Sequence, residues 1–204
     1  ILLAAGASFI QRTIGFGFGI FIMTALPFLM PSYGEAVTLS GLLSLTSATI
    51  VMVKYLKFVT WKRLLPIVAS FIIFSTIAIC LLDKIEGQAM RRILGITLIL
   101  ISLYFSFFKA RLQKLIRPTK GWQYGTGAAS GIMGGLFAMH GPPVVLYLIV
   151  SEPDKDHYMG MIQTYAVVTN ITMLAVRAFN GYVTPAVGSS YIYSLIGLAI
   201  GVIA

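Results

Sequence analysis

Apolar residues run through this chain in long blocks, and the charged residues gather in the short stretches between them. Residues 1–30 form the first block. Gln11 and Arg12 interrupt it, and so does the run Gly15-Phe16-Gly17-Phe18-Gly19. After a loop at 31–35, residues 36–53 carry no charge and have the length of a second membrane span. Residues 64–82 predict a third span. Residues 93–108 predict a fourth, which Arg91, Arg92 and Lys109 extend by snorkelling. The stretch 121–151 has no Asp, Glu, Lys or Arg, and it exceeds the roughly 20 residues that one membrane helix needs. Residues 158–176 predict a sixth span, and 189–204 begin a seventh.

The long fifth block breaks at His140-Gly141-Pro142-Pro143. Glycine favours non-helical backbone there, and proline cannot donate a backbone hydrogen bond but suits the first turn of a new helix. The pattern predicts a helix to about Met139, then a half-helix from near Pro142. The first block echoes it. Ala7-Ser8 recurs as Ala129-Ser130, a shift of 122 that carries Gly19 onto Gly141, and Val59-Thr60 recurs as Val183-Thr184 at a shift of 124. In order and at nearly one shift, these matches predict two related halves, each opening on a broken helix. The first half is 1–120, with four spans and a basic dividing loop. The second is 121–204, with three spans. The repeat leads one to expect an eighth span after residue 204, and the missing initiator Met leads one to expect residues before Ile1. The predicted fold class is all-α, a polytopic membrane protein with about seven transmembrane helices present.

Composition agrees with this. The chain is 58% hydrophobic and 10% charged, far outside the range of soluble domains. Its net charge of +9 would suit nucleic acid, but the cations flank apolar spans, as positive-inside topology requires. Lys54, Lys57, Lys62 and Arg63 form one basic loop, and Lys109, Arg111, Lys114, Arg117 and Lys120 another. Both are expected on the cytoplasmic side of a bacterial-type inner membrane. With full crossing of the broken segments, residue 1 also lies inside, and the acidic loop 152–156 lies opposite. Re-entrant hairpins would instead invert the repeats. The acidity of 152–156 favours full crossing. The lone Cys80 excludes a disulfide framework. Catalytic and metal-binding signatures are missing from the sequence, so neither an enzyme nor a cofactor is expected. Six acidic residues, none well inside a span, speak against a carboxylate proton relay. No signal fixes an oligomeric state.

The glycine runs Gly15-Phe16-Gly17-Phe18-Gly19 with Pro27, and Gly134-Gly135-Leu136-Phe137 with His140-Gly141-Pro142-Pro143, resemble the TauE/SafE-type sulfite exporters, also called TSUP transporters. Arg91-Arg92-Ile93-Leu94-Gly95 adds to the likeness, which covers nearly the whole chain. The resemblance implies secondary transport of sulfite, sulfonates or related small sulfur-containing anions.

A helix broken in the bilayer survives where its free amides face protein or a watery cavity. Half-helix N-termini near Gly19 and Pro142 would point amides and partial positive charge at the midplane, a setting suited to an anion. Candidate substrate-binding residues are therefore Gly17, Gly19 and Gly141 at the breaks, with Arg12 one turn before Gly15. His140 is the one ionisable group in the fifth span, and protons are a candidate coupling ion through it. Gln11, Thr46, Gln163 and Asn170 are polar groups within spans, and Thr46 and Asn170 correspond under the 124 shift. Arg12 could equally snorkel, and the polar groups could simply join helices. Gly127, Gly131 and Gly135 recur every fourth residue and are read as helix packing. The alternatives are a transporter or channel for another small anion, and a membrane scaffold or receptor without transport.

Overall fold

Ser32 opens the first long helix with a reciprocal cap: its hydroxyl accepts from the Glu35 amide, and the Glu35 carboxylate accepts from the Ser32 amide. The helix therefore begins at Tyr33, three residues before the apolar run, and continues to Tyr55. The computed structural model describes residues 1–82, 84–103, 107 and 116–203. Its helices are α1 (Leu2–Ile14), α2 (Phe18–Ile22), α3 (Leu26–Leu29), α4 (Tyr33–Tyr55), α5 (Trp61–Leu82), α6 (Gly87–Leu103), α7 (Lys120–Phe137), α8 (Gly141–Ser151), α9 (Lys155–Phe179) and α10 (Pro185–Ile203). A single 3₁₀ turn follows α4, and no strand occurs among the described residues. The all-α, polytopic prediction holds, with a broken first helix in each half. Lys109, Arg111 and Lys114, and the end of the predicted fourth span, lie outside the described residues.

Several helices extend past their apolar runs. α5 takes Lys62 and Arg63 into its first turn, α6 starts at Gly87 and includes Arg91 and Arg92, and α9 runs through Arg177 to Phe179. Hydropathy marks the apolar slab, whereas caps and backbone hydrogen bonds end a helix. Tyr33–Phe58, Trp61–Leu82 and Lys155–Phe179 are each long and apolar enough to cross a membrane. Outward-facing Ile72, Ile73, Phe74 and Ile77 on α5, and Ile93, Ile96 and Ile99 on α6, are exposed. So much bare apolar surface belongs against lipid. The chain is a multi-pass membrane protein.

The broken segments do not cross; each reverses. Gly6 of α1 lies against the Phe21 ring of α2, which requires α2 to fold back along α1. In the second segment Gln123, near the start of α7, donates to the Tyr147 hydroxyl of α8 at 3.0 Å. Ser130 Oγ donates to the His140 carbonyl oxygen. α7 and α8 are thus antiparallel. Left-handed backbone permits the first turn, at Gly15 (φ 89°) and Gly17 (φ 100°). The second turn uses Ala138 (φ 55°), a conformation costing a non-glycine residue about 1–2 kcal/mol.

This corrects the full-crossing expectation and its corollaries. Gly127, Gly131 and Gly135 of α7 approach the backbone of Ile67, Phe71 and Ser75 of α5 in step. The two helices are therefore parallel, and their starts share a side. α8 returns to that side. Arg63 Nη1 bonds Glu152 Oε1 at 2.7 Å and the Ser151 carbonyl at 3.0 Å, and His157 meets the Phe58 ring. The 152–156 loop therefore joins the basic loop 54–63 instead of facing it. Acidic residues carry little topological information, so their cluster does not set the side on which the loop lies. α10 runs back toward the same side, and α1 is parallel to it: Gly197 meets the Ile1 backbone and Gly201 that of Ala5. α1 therefore runs toward the basic side while α7 runs away from it. The two hairpins enter from opposite faces. α4 and α9 pack between them, α7 against α5, and α1 against α10.

Candidate functional site

The two hairpin tips meet. Gly19 lies against the Ala138 carbonyl, and a Cβ on Gly141 would sit 3.5 Å from Phe16 Cβ. Adding 122 to 16 and to 19 gives 138 and 141, so the shift maps the first contact onto the second. Around this crossing lies a cavity of about 30 Å³, walled by 15–20 from one break and 138–142 from the other. Gln11, Ser44, Ile162, Tyr165 and Ala166 close it. That is room enough for a water among polar groups.

Backbone chemistry at the two tips differs. α2 begins at Phe18 with Gly17 as its cap, which leaves the first amides, those of Phe18, Gly19 and Ile20, without intrahelical acceptors. α8 begins one residue earlier than Pro142, on Gly141 with His140 as its cap. Pro142 and Pro143 have no N–H, so in that first turn Gly141 alone offers an amide.

His140 is buried, and its Nδ1 has no partner among the described residues. Its ring meets the edges of Phe71 and Tyr165 at centroid distances of 6.0 and 5.7 Å. Ser130 bonds both the His140 carbonyl and the Tyr165 hydroxyl, which pins the tip in place. Gln11 Nε2 donates to Gln163 Oε1 at 3.4 Å, and Gln163 Nε2 donates to the Gly15 carbonyl at 3.1 Å. Gln11 Oε1 is buried without a partner among the described residues. Gln163 thereby holds the first tip from behind while Gln11 faces the cavity. Asn170 stands one layer back: its Nδ2 donates to the Ala166 carbonyl at 2.8 Å and to Ser44 Oγ at 3.2 Å.

Two candidates lie elsewhere. Thr46 Oγ1 donates to the Leu42 carbonyl and bonds the Tyr191 hydroxyl at 2.7 Å, joining α4 to α10. Arg12 is exposed in the last turn of α1. With Lys54, Tyr55 and Met159 it lines a separate opening of about 260 Å³ on the basic side.

Sequence reasoning missed Ser44, Tyr165 and above all Arg177, which lies just past the predicted span 158–176. Arg177 is fully buried. It donates to the carbonyls of Val37 at 3.0 Å, Gly134 at 3.0 Å and Gly135 at 3.1 Å. Tyr33 Oη donates to Leu136 O at 3.0 Å. Together they bond the carbonyls of the last turn of α7, where Gly134 also accepts the Ala138 amide. A signal existed: Gln163, Asn170 and Arg177 are spaced by seven, which puts them on one helix face. Among the described residues no cluster of side chains could hold a metal ion.

A family model described as sulfite exporter TauE/SafE matches residues 1–204, the whole chain. Neither a curated protein nor a solved structure matches it.

Proposed function

The chain belongs to the sulfite exporter TauE/SafE family, and from that premise we propose that it carries a small sulfur-containing anion between its two helix breaks. Membership makes it a membrane transporter of the sulfite-exporter type. Sulfite or an organosulfonate is the proposed cargo. One observation carries this reading: two oppositely directed breaks meet around a cavity to which Gln11, Ser44, His140 and Tyr165 bring polar side chains, and Gln11 and His140 keep buried polar atoms without a partner among the described residues. Unpaired buried polar atoms are costly in an apolar interior unless a ligand or water completes them. The amides of Phe18, Gly19, Ile20 and Gly141 would bind the anion's oxygens, and Gly17 gives the first tip its turn. Gln163 and Asn170 hold the walls. Arg12 and Lys54 draw the anion into the basic-side opening, and Thr46 acts only through packing.

The halves 1–120 and 121–204 are then inverted repeats. The map of one tip contact onto the other supports this, as do the opposite entries of the hairpins. In such an arrangement the hairpins rock against the α4–α9 pair to open the site to each side in turn. We place the protein in a bacterial-type inner membrane with the 54–63 side cytoplasmic. Protons are the proposed coupling ion, with His140 as their carrier.

Reconstituted protein is expected to move labelled sulfite at a rate that saturates with concentration. Organosulfonates should compete, and an imposed pH gradient should drive accumulation. Flux rising linearly without saturation would indicate a channel. No flux and no binding of any sulfur anion would return the scaffold reading.

A further inference from the structure

Each hairpin brings a helix N-terminus to the cavity, and it also brings the C-terminus of the helix before it. The two ends carry opposite partial charges of about half an elementary charge each. Left alone, the end of α7 would cancel much of the attraction that the start of α8 offers an anion. Arg177 stands at that end. Its three backbone bonds reach Gly134 and Gly135 in the last turn of α7 and Val37 on α4. Gly134 O also accepts from the Ala138 amide at 3.0 Å, and Ala138 lines the cavity. The guanidinium is therefore one residue behind the cavity wall. It is fully buried, and among the described residues no carboxylate pairs with it; the ion pair found there is Arg63–Glu152. A buried charge without a counter-ion is costly.

We infer that Arg177 is a positioning residue for the anion: it caps α7 so that the negative helix end is masked, and its unneutralised charge is balanced by the bound ligand. The inference rests on the anion site proposed above. It makes a demand that a purely structural cap does not. Coulomb energy is linear in ligand charge, so removing the charge must penalise a dianion more than a monoanion at the same site.

The test is calorimetric binding in detergent of sulfite, at a pH where it is doubly charged, and of methanesulfonate, singly charged. Arg177→Gln is expected to weaken methanesulfonate by about tenfold and sulfite by about a hundredfold, the square of the first factor. Arg177→Lys should restore most of the sulfite affinity. Should Arg177→Gln fail to fold, Asn170→Asp decides. That change is isosteric and leaves the cap in place. It also sets a negative charge on a residue that shares the space over Gly41 with the guanidinium, since a Cβ on Gly41 would lie 3.3 Å from Arg177 Nη1 and 3.7 Å from Asn170 Oδ1. It should reproduce the same unequal losses. Equal losses for both ligands, or a folded Gln variant with wild-type affinities, would overturn the inference and leave Arg177 a structural cap. A wild-type protein that binds neither ligand would instead overturn the proposed function.

Discussion

Gly19→Ala abolishes transport while Gly141→Ala barely affects it. This is the expected result of adding one methyl group at each hairpin tip. At Gly19 the new Cβ would overlap the Ala138 carbonyl oxygen, a backbone atom fixed by the α7 cap. The tips must then separate by more than a small adjustment. Overpacking of this kind costs about 1–3 kcal/mol, and 3 kcal/mol corresponds to a loss of roughly a hundredfold in ligand affinity. At Gly141 the new Cβ would meet Phe16 Cβ at 3.5 Å, an ordinary contact, so a change within about threefold is expected. The 122 shift pairs Gly19 with Gly141; the approach distances separate them. Initial rates of sulfite uptake into proteoliposomes, normalised to folded protein, check the pair. Equal rates in the two variants would show that the tips do not meet in this register.

Gly131→Leu is expected to cost the fold itself. α5 and α7 touch through backbone along this stripe. A Cβ at Gly131 would be 2.8 Å from the Phe71 carbonyl oxygen and 3.0 Å from the Ser75 amide nitrogen. Small residues let membrane helices approach this closely, and the packing replaces a hydrophobic force that lipid cannot provide. A leucine must push the helices apart along their shared length, at an expected cost above about 3 kcal/mol. Gly125→Leu is the control on the same helix, because a Cβ there would meet nothing within 4 Å among the described residues. It should be neutral or slightly stabilising, since leucine is a better helix former than glycine by up to about 1 kcal/mol. Thermal unfolding in detergent compares them. A melting temperature for Gly131→Leu within a few degrees of the control would contradict the close contact.

Sequence legibility followed the kind of signal each feature leaves. The breaks were readable because Gly15, Gly17 and His140-Gly141-Pro142-Pro143 are residues that stop helices. The α7 stripe was readable because Gly127, Gly131 and Gly135 keep helical spacing. Direction was not readable. A segment that crosses and one that turns back have the same hydropathy, and only contacts such as Gly6 against Phe21 or Gln123 to Tyr147 separate them. Arg177 was hidden by its position at the end of an apolar run, where a cation normally marks the membrane edge. Its partners are carbonyls of Val37, Gly134 and Gly135, far away in sequence. Arg12 shows the reverse case. It looks deep in the sequence, yet α1 runs toward the basic side and delivers it to an opening there.

The central claim is that two oppositely entering breaks meet and hold the anion between them. A cysteine pair at Phe16 and Gly141 tests it most directly, in a chain whose Cys80 is replaced by alanine and whose 109–120 loop carries a protease site. The Cβ separation of 3.5 Å lies within the range for a disulfide, about 3.5–4.5 Å. After mild oxidation in membranes and cleavage of the loop, the halves should stay joined on a non-reducing gel and separate on reduction. Saturating sulfite should slow the crosslinking, because the proposed site puts the anion between the tips, around whose crossing the cavity lies. Halves that separate after oxidation of the folded protein, or crosslinking indifferent to every sulfur anion the protein carries, would contradict the account.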